Sequence, residues 1–250
     1  MSNAYSDFAL VYDLFMDNVP YEDWAQRIVK RLDSMGIRGG LACDLGCGTG
    51  KMTRLLAEKG FDMIGIDSSV EMLMEARNNT DDESIMYLCQ DMREFELYGT
   101  VWAIVSVCDC MNYIESADEL FTVFRLAENY LEHRGAFIFD MITPHRYKDI
   151  MADNTFAENR DDCSFIWENS FDEETGINQY DLTLYLQRED GRYDRLEEQH
   201  IQHAYEVDDV VKLLKKAKFE DIEVIDESTG DIVTENTERA VFIARKRGNK

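Results

Sequence analysis

The sequence predicts an α/β protein. Its main body is a doubly wound, mostly parallel sheet, and an antiparallel β insertion precedes the last elements. Three observations carry this. Residues 41–56 run from a short apolar strand through a glycine loop into a segment of helical period. Apolar runs and helical segments then alternate as far as Asp140, the pattern of successive βαβ units. Over 143–205 the period falls to two, with turn residues at Glu173-Glu174-Thr175-Gly176 and Glu189-Asp190-Gly191.

The elements follow in order. Pro20 suits the first turn of a helix, Trp24, Ile28 and Leu32 recur at helical spacing, and Met35-Gly36 ends it. Upstream, Tyr5-x-x-Phe8-Ala9-x-x-Tyr12-Asp13 is aromatic and helical in period. Phe61 to Asp67 is a second strand, and Val70 to Arg77 a helix capped by Ser68 or Ser69. Ile85 to Cys89 and Val101 to Val107 are the third and fourth strands. The fourth is nearly continuous in apolar residues, as a strand buried on both faces should be. Ser116 caps a helix to Leu131, and Ala136 to Asp140 is the fifth strand. About three antiparallel strands are expected in the insertion. A helix over Glu206 to Lys218 and strands at Ile222–Ile225 and Ala240–Ala244 complete the main body.

Composition narrows the function. A chain of 250 residues with 45% hydrophobic content can bury a proper core. Basic residues number 26 against 51 acidic ones, a net charge of −25, and no basic cluster exceeds Lys215-Lys216 and Arg245-Lys246-Arg247. A polyanion would be repelled by that field, so nucleic acid is disfavoured and a neutral or cationic small molecule is favoured. The six cysteines show no metal-ligand spacing, and Cys43, Cys89 and Cys108 sit in apolar strands as reduced residues. No metal is expected. No apolar run approaches the ~20 residues of a membrane span and no leader is recognised, so the expected location is cytoplasmic.

The glycine loop separates the candidate ligands. The dinucleotide fingerprint G-x-G-x-x-G fails because the third glycine, Gly50, comes one residue early and Lys51 fills the expected place. A Walker-type phosphate loop fails for want of Gly-Lys-Ser/Thr. What is present is Asp-x-Gly-x-Gly-x-Gly from Asp44 to Gly50. Asp67 stands at the end of the second strand, where an α/β nucleotide site places an acid on the ribose hydroxyls.

Asp44 to Asp67 resembles the corresponding stretch of class I S-adenosylmethionine-dependent methyltransferases. The aromatic opening is similar to that of small-molecule members, including sugar-amine N-methyltransferases. The resemblance implies a Rossmann-like sheet of order 3-2-1-4-5-7-6 with its last strand antiparallel. The methyltransferase domain would comprise residues 1–142 and 206–250, with an N-terminal helical cap, and 143–205 would form an inserted β lid. It implies S-adenosylmethionine as cofactor and S-adenosylhomocysteine as product. The cofactor-binding residues expected are Tyr12, Trp24, Asp44, Gly46, Cys47, Gly48, Gly50, Asp67, Ser68, Met72, Asp91, Met92 and Cys108. In such a site Asp67 holds the sugar, Asp91 the adenine amino group, Met72 flanks the ring, and Tyr12 and Trp24 line the methionine end.

The expected reaction is in-line methyl transfer to a small-molecule N or O nucleophile, which needs alignment and desolvation more than acid–base chemistry. Where a proton must leave the acceptor, the candidate bases are Tyr12, His145, His200 and His203. Asn112-Tyr113, after the fourth strand, either faces the methyl group or serves only the loop. Two alternatives share the fold: an NAD(P)-dependent oxidoreductase, and a non-catalytic S-adenosylmethionine-binding protein. Oligomeric state is not read from the sequence.

Overall fold

A computed structural model describes residues 12–13, 16–17, 19–81, 83–188 and 190–248. The expected aromatic opening from Tyr5 to Phe8 lies outside the described residues; Tyr12 and Asp13, at its end, are helical.

The main body is α1 (Tyr21–Ser34), β1 (Gly40–Leu45), α2 (Lys51–Glu58), β2 (Phe61–Asp67), α3 (Val70–Asn78), β3 (Met86–Cys89) and β4 (Val101–Ser106). It continues through α4 (Ala117–Tyr130) and β5 (Leu131–Ile142). After the insertion it closes with α5 (Val207–Lys216), β10 (Phe219–Asp226) and β11 (Arg239–Lys246). The strands form one sheet in the order β10-β11-β5-β4-β1-β2-β3. Strands β3, β2, β1, β4 and β5 run parallel, while β11 is antiparallel to both β5 and β10. This is the expected order, with β11 as the strand that enters last and lies between β5 and β10.

Local sequence explains the helices. α1 buries Tyr21, Trp24, Ala25, Ile28 and Leu32, an i, i+3, i+4, i+7, i+11 stripe facing the sheet. Ser69 caps α3 by accepting from Met72 N, and Ser116 caps α4 by accepting from Glu119 N. The two faces of the sheet carry separate cores. One joins α4 and α5 to the sheet through Phe124, Phe137, Phe139, Phe242 and Leu214. The other joins α1, α2 and α3 through Leu32, Met52, Leu56, Leu73 and Met63.

The insertion differs from expectation in two respects. It holds four antiparallel strands in the order β6-β7-β8-β9: β6 (Thr155–Asn159), β7 (Cys163–Asp172), β8 (Ile177–Gln187) and β9 (Tyr193–His203). The added strand, β6, is exposed along nearly all its length, so it carries no alternation of apolar residues to reveal it. Residues 146–151 form a π-helical turn before it, Arg146–Met151, which buries Tyr147 and Met151. A third difference lies in β5, which begins at Leu131 instead of Ala136. Leu131 already pairs with Val101, and an irregularity follows before Ala103 pairs with Ala136. Among the described residues no helix is long and apolar enough to cross a membrane.

Candidate functional site at the carboxyl edge of the sheet

The loop after β1 is shaped by its neighbours. Gly46 N and Cys47 N both donate to Ile66 O, at 2.8 and 2.9 Å, which pins the loop to the end of β2. A side chain at Gly46 would lie 2.7 Å from Cys110 Sγ and 3.3 Å from Met92 Cε, so only glycine lets these segments meet. Gly50 opens α2 in the left-handed region at φ 75°, and a Cβ there would stand 2.5 Å from the Tyr87 hydroxyl. Gly48 N donates to Asp67 Oδ2 at 2.8 Å, and Ser69 N to Asp67 Oδ1 at 2.9 Å. Each carboxylate oxygen keeps a further lone pair for a ligand hydroxyl.

Asp44 lies behind the loop, 1% exposed. Thr53 donates to its Oδ2 at 2.6 Å, whereas Oδ1 has no partner among the described residues. Burial pushes its carboxyl up to about 7, and nearby Asp67 adds to the push. A buried acceptor oxygen left over in this way suits a ligand that brings positive charge or an N–H donor. The Asp67 carboxylate suits vicinal hydroxyls. A phosphate would meet two acids here, so the donor set fits an adenosyl sulfonium with a free ammonium and opposes a pyrophosphate.

The N-terminal segment and the second sheet close over this edge. Thr49 Oγ1 donates to Asp13 Oδ1 at 2.7 Å, tying the glycine loop to the segment before α1. Tyr12 packs with Met72 against Leu184 and its neighbours Phe165, Leu182 and Leu196 on the second sheet. Its hydroxyl bonds to that of Tyr21, which receives the Cys108 thiol at 3.1 Å. Burial holds both phenols and the Cys108 thiol well above their ordinary values. Arg160, on the second sheet, grips Asp17 through both terminal nitrogens at 2.9 and 3.0 Å.

After β4 the backbone turns through two left-handed non-glycine residues, Cys108 at φ 62° and Asp109 at φ 53°. Such residues persist where their surroundings fix them. Asp109 N donates to Asp140 Oδ2, Arg239 donates to both Asp109 and Asp140, and Gln202 Nε2 donates to Asp109 Oδ2 at 2.6 Å. Burial raises the Asp140 carboxyl, while Arg239 opposes the rise. Asn112 bridges two further elements: Ile142 N donates to its Oδ1, and its Nδ2 donates to Ile142 O and His203 O. It is therefore a brace between β5 and β9. Tyr113 stays 40% exposed although dense protein pushes its hydroxyl up, so it lines a recess.

The remaining expected residues distribute as follows. Ser68 O receives the Cys89 thiol at 3.6 Å, and Met92 packs on the core beside Leu45. Cys47, within the loop, is buried. Asp91 lies past the end of β3, but its carboxylate is clasped by Arg93 with contacts of 2.6 to 3.1 Å, which lowers it. Trp24 donates to Glu227 Oε1 at 2.6 Å and lies under Arg239, 5.6 Å from the ring centroid. It also lines a separate cavity of about 570 Å³ between α1 and the β5, β11 and β10 half of the sheet.

His145 pairs with Asp149 at 2.8 Å in the turn after β5. His200 and His203 are three residues apart on β9, so they occupy opposite faces, and His200 stands on that of Glu198 and Gln202. Its Nδ1 lies 3.1 Å from the Tyr113 hydroxyl, and its ring stacks on Tyr180 at 4.6 Å.

Asp109, Tyr180, Glu198, Gln202 and Arg239 were not singled out from sequence. Nothing in the sequence marks them: the burial of Glu198 is a property of the fold, and the others meet partners dozens of residues away. Among the described residues no cluster could hold a metal ion.

The chain is similar to known methyltransferases. A family model described as a methyltransferase domain matches residues 42–135. YqeM of Bacillus subtilis (strain 168), named as a methyltransferase, is similar at 32% identity over 97% of each chain. A crystal structure titled as an S-adenosylmethionine-dependent methyltransferase from Clostridium acetobutylicum ATCC 824 superposes with a TM-score of 0.87. It is 29% identical, with 99% of this chain and 100% of that one covered. A dTDP-3-amino-3,4,6-trideoxy-alpha-D-glucopyranose N,N-dimethyltransferase of Streptomyces venezuelae is 28% identical over 59% of this chain and 61% of its own length. These likenesses decide against the nicotinamide-dependent and non-catalytic alternatives. The chain belongs to the S-adenosylmethionine-dependent methyltransferases, with S-adenosylmethionine as its cofactor.

Proposed function

We propose that this methyltransferase acts on a small-molecule N or O nucleophile, neutral or cationic, in the cytoplasm. The observation that carries the reading is the packing of Tyr12 and Met72 under Leu184, which brings the second sheet over the edge holding Asp67. A recess roofed in this way admits a small acceptor and sheds water, whereas a long polymer would need an open groove. The net charge of −25 opposes nucleic acid in the same sense. The amino-sugar methyltransferase among the relatives supports such an acceptor.

On this reading residues 143–205 serve as a lid on a domain made of 1–142 and 206–250. Asp67 holds the ribose hydroxyls, Asp44 faces the ammonium side of the cofactor, and the amides of Gly46, Cys47, Gly48 and Gly50 shape its bed. Met72 and Met92 flank the adenine, with Ser68 and Asp91 at its rim. Tyr12, Tyr21 and Cys108 crowd the methionine end. When bound, the cofactor supplies a methyl carbon on a sulfonium, which is already a good leaving group. The protein's share is alignment, exclusion of water and removal of an acceptor proton where one must go. Of the candidate bases, Tyr12 and His200 lie where the second sheet meets the main body. His145 pairs with Asp149 in the turn after β5, and His203 is on the other face of β9.

Release of S-adenosylhomocysteine, followed over panels of amines, phenols, hydroxy compounds and carboxylates, tests the proposal. Turnover with a small amine or hydroxy compound is expected. Turnover confined to nucleic acid or protein acceptors would sink it.

A further inference from the structure

Glu198, in the middle of β9, is 92% buried by its 8% exposure and faces the main body. Neither of its oxygens receives a hydrogen bond among the described residues. His200 Nε2 lies 3.2 Å from Oε2, off the hydrogen-bond axis. A buried carboxylate without a donor is costly, and the His200 ring nitrogen is within reach of this one. On the far side of the imidazole, Nδ1 lies 3.1 Å from the Tyr113 hydroxyl, which in turn lies 2.8 Å from the Tyr180 hydroxyl. Four side chains from two elements of the second sheet and the turn after β4 thus form a line running from a buried anion to the recess.

We propose that Glu198, His200, Tyr113 and Tyr180 form a proton relay that accepts a proton from a cationic amine bound in the recess, with Glu198 as a positioning residue. The proposal rests on the methyl-transfer reading and names the acceptor class within it. Glu198 holds the Nε2–H tautomer, which leaves Nδ1 as an acceptor toward the tyrosine hydroxyls. When the ammonium N–H bond breaks, its proton forms a new O–H bond on the tyrosine pair while a tyrosine proton passes to Nδ1. The electron pair stays on the amine nitrogen, free to act as nucleophile. The imidazolium so formed lies against Glu198, which stabilises it.

The surroundings favour a cation over a carboxylate acceptor. Tyr12 on the N-terminal segment and Asp109 after β4 face Tyr113, and Trp167 lies 4.6 Å from Tyr180. Arg239 is occupied by Asp109 and Asp140. Aromatic walls and an unneutralised anion together suit an ammonium.

The test uses the full chain with 15N-labelled histidines; there are four, and His200→Asn assigns the signal. In its neutral form His200 is expected as the Nε2–H tautomer, with the Nδ1–H form gaining population in Glu198→Gln, whose amide is a weaker acceptor and can itself donate to Nε2. With an accepted amine, Glu198→Gln and Tyr113→Phe are each expected to lower kcat on the order of tenfold and to leave S-adenosylhomocysteine affinity unchanged. An Nδ1–H tautomer in the parent, or a tautomer balance that ignores Glu198→Gln, overturns the relay. If Glu198→Gln does not fold, Tyr113→Phe decides, and parent-like turnover overturns it. The histidine spectra need no turnover, so a failed methyl-transfer reading, seen as absent S-adenosylhomocysteine binding, is told apart from a failed relay.

Discussion

Gly48 N donates to Asp67 Oδ2 at 2.8 Å, joining the centre of the glycine loop to the acid that ends β2, 19 residues on. The bond fixes the carboxylate's orientation before any ligand arrives, since Ser69 N holds the other oxygen. A preorganised acceptor loses little entropy when it takes up two hydroxyls.

Asp67→Ala removes both acceptors. Hydrogen bonds to a charged group are worth about 1.5–3 kcal/mol. S-adenosylhomocysteine affinity in calorimetry is expected to fall on the order of 10- to 100-fold. Unchanged affinity would remove Asp67 from the site.

Gly50→Ala places a Cβ 2.5 Å from the Tyr87 hydroxyl and 3.1 Å from Ala76 Cβ, at a positive φ. Left-handed strain and overpacking each cost about 1–3 kcal/mol. The denaturant midpoint is expected to fall accordingly, with cofactor affinity reduced as α2 shifts. A midpoint equal to the parent's would contradict the packing described.

Asp44 gives the unliganded protein a distinctive pH dependence. Its folded carboxyl sits at about 7 against an ordinary 3.8. Between those values the unfolded chain has released the proton and the folded chain retains it. Its contribution therefore favours folding most below about pH 4, declines as pH rises and levels off above about 7, a change on the order of a few kcal/mol. Asp44→Asn keeps an acceptor for Thr53 and is expected to flatten that decline in thermal melts from pH 4 to 8. It is also expected to weaken S-adenosylmethionine binding. A parent-like slope in the variant would refute this account.

Arg239→Met leaves Asp109 and Asp140 buried without their cation. Breaking a buried ion pair from one side costs about 3–5 kcal/mol. Stability is expected to drop by that order in urea titration, with turnover impaired because Asp109 also orients Gln202. A loss below about 1 kcal/mol, the scale of exposed pairs, would show the network to be solvated.

The sequence by itself determined the succession of strands and helices and the acid–glycine frame from Asp44 to Asp67, and the family resemblance carried by that frame implied the sheet order and the cofactor. The frame is legible because it is local: a strand, a loop and a helix start place their residues by period and by backbone geometry alone. The sequence also determined that an antiparallel insertion follows β5, though not β6, whose exposed residues leave no pattern. Only the tertiary structure decided which side chains meet across the recess. Glu198 and His200 share a face by strand alternation, but Tyr113 reaches them from 87 residues away, and Arg239 reaches Asp109 across 130. Contacts of that kind depend on how two sheets close on one another, a relation that no local period encodes.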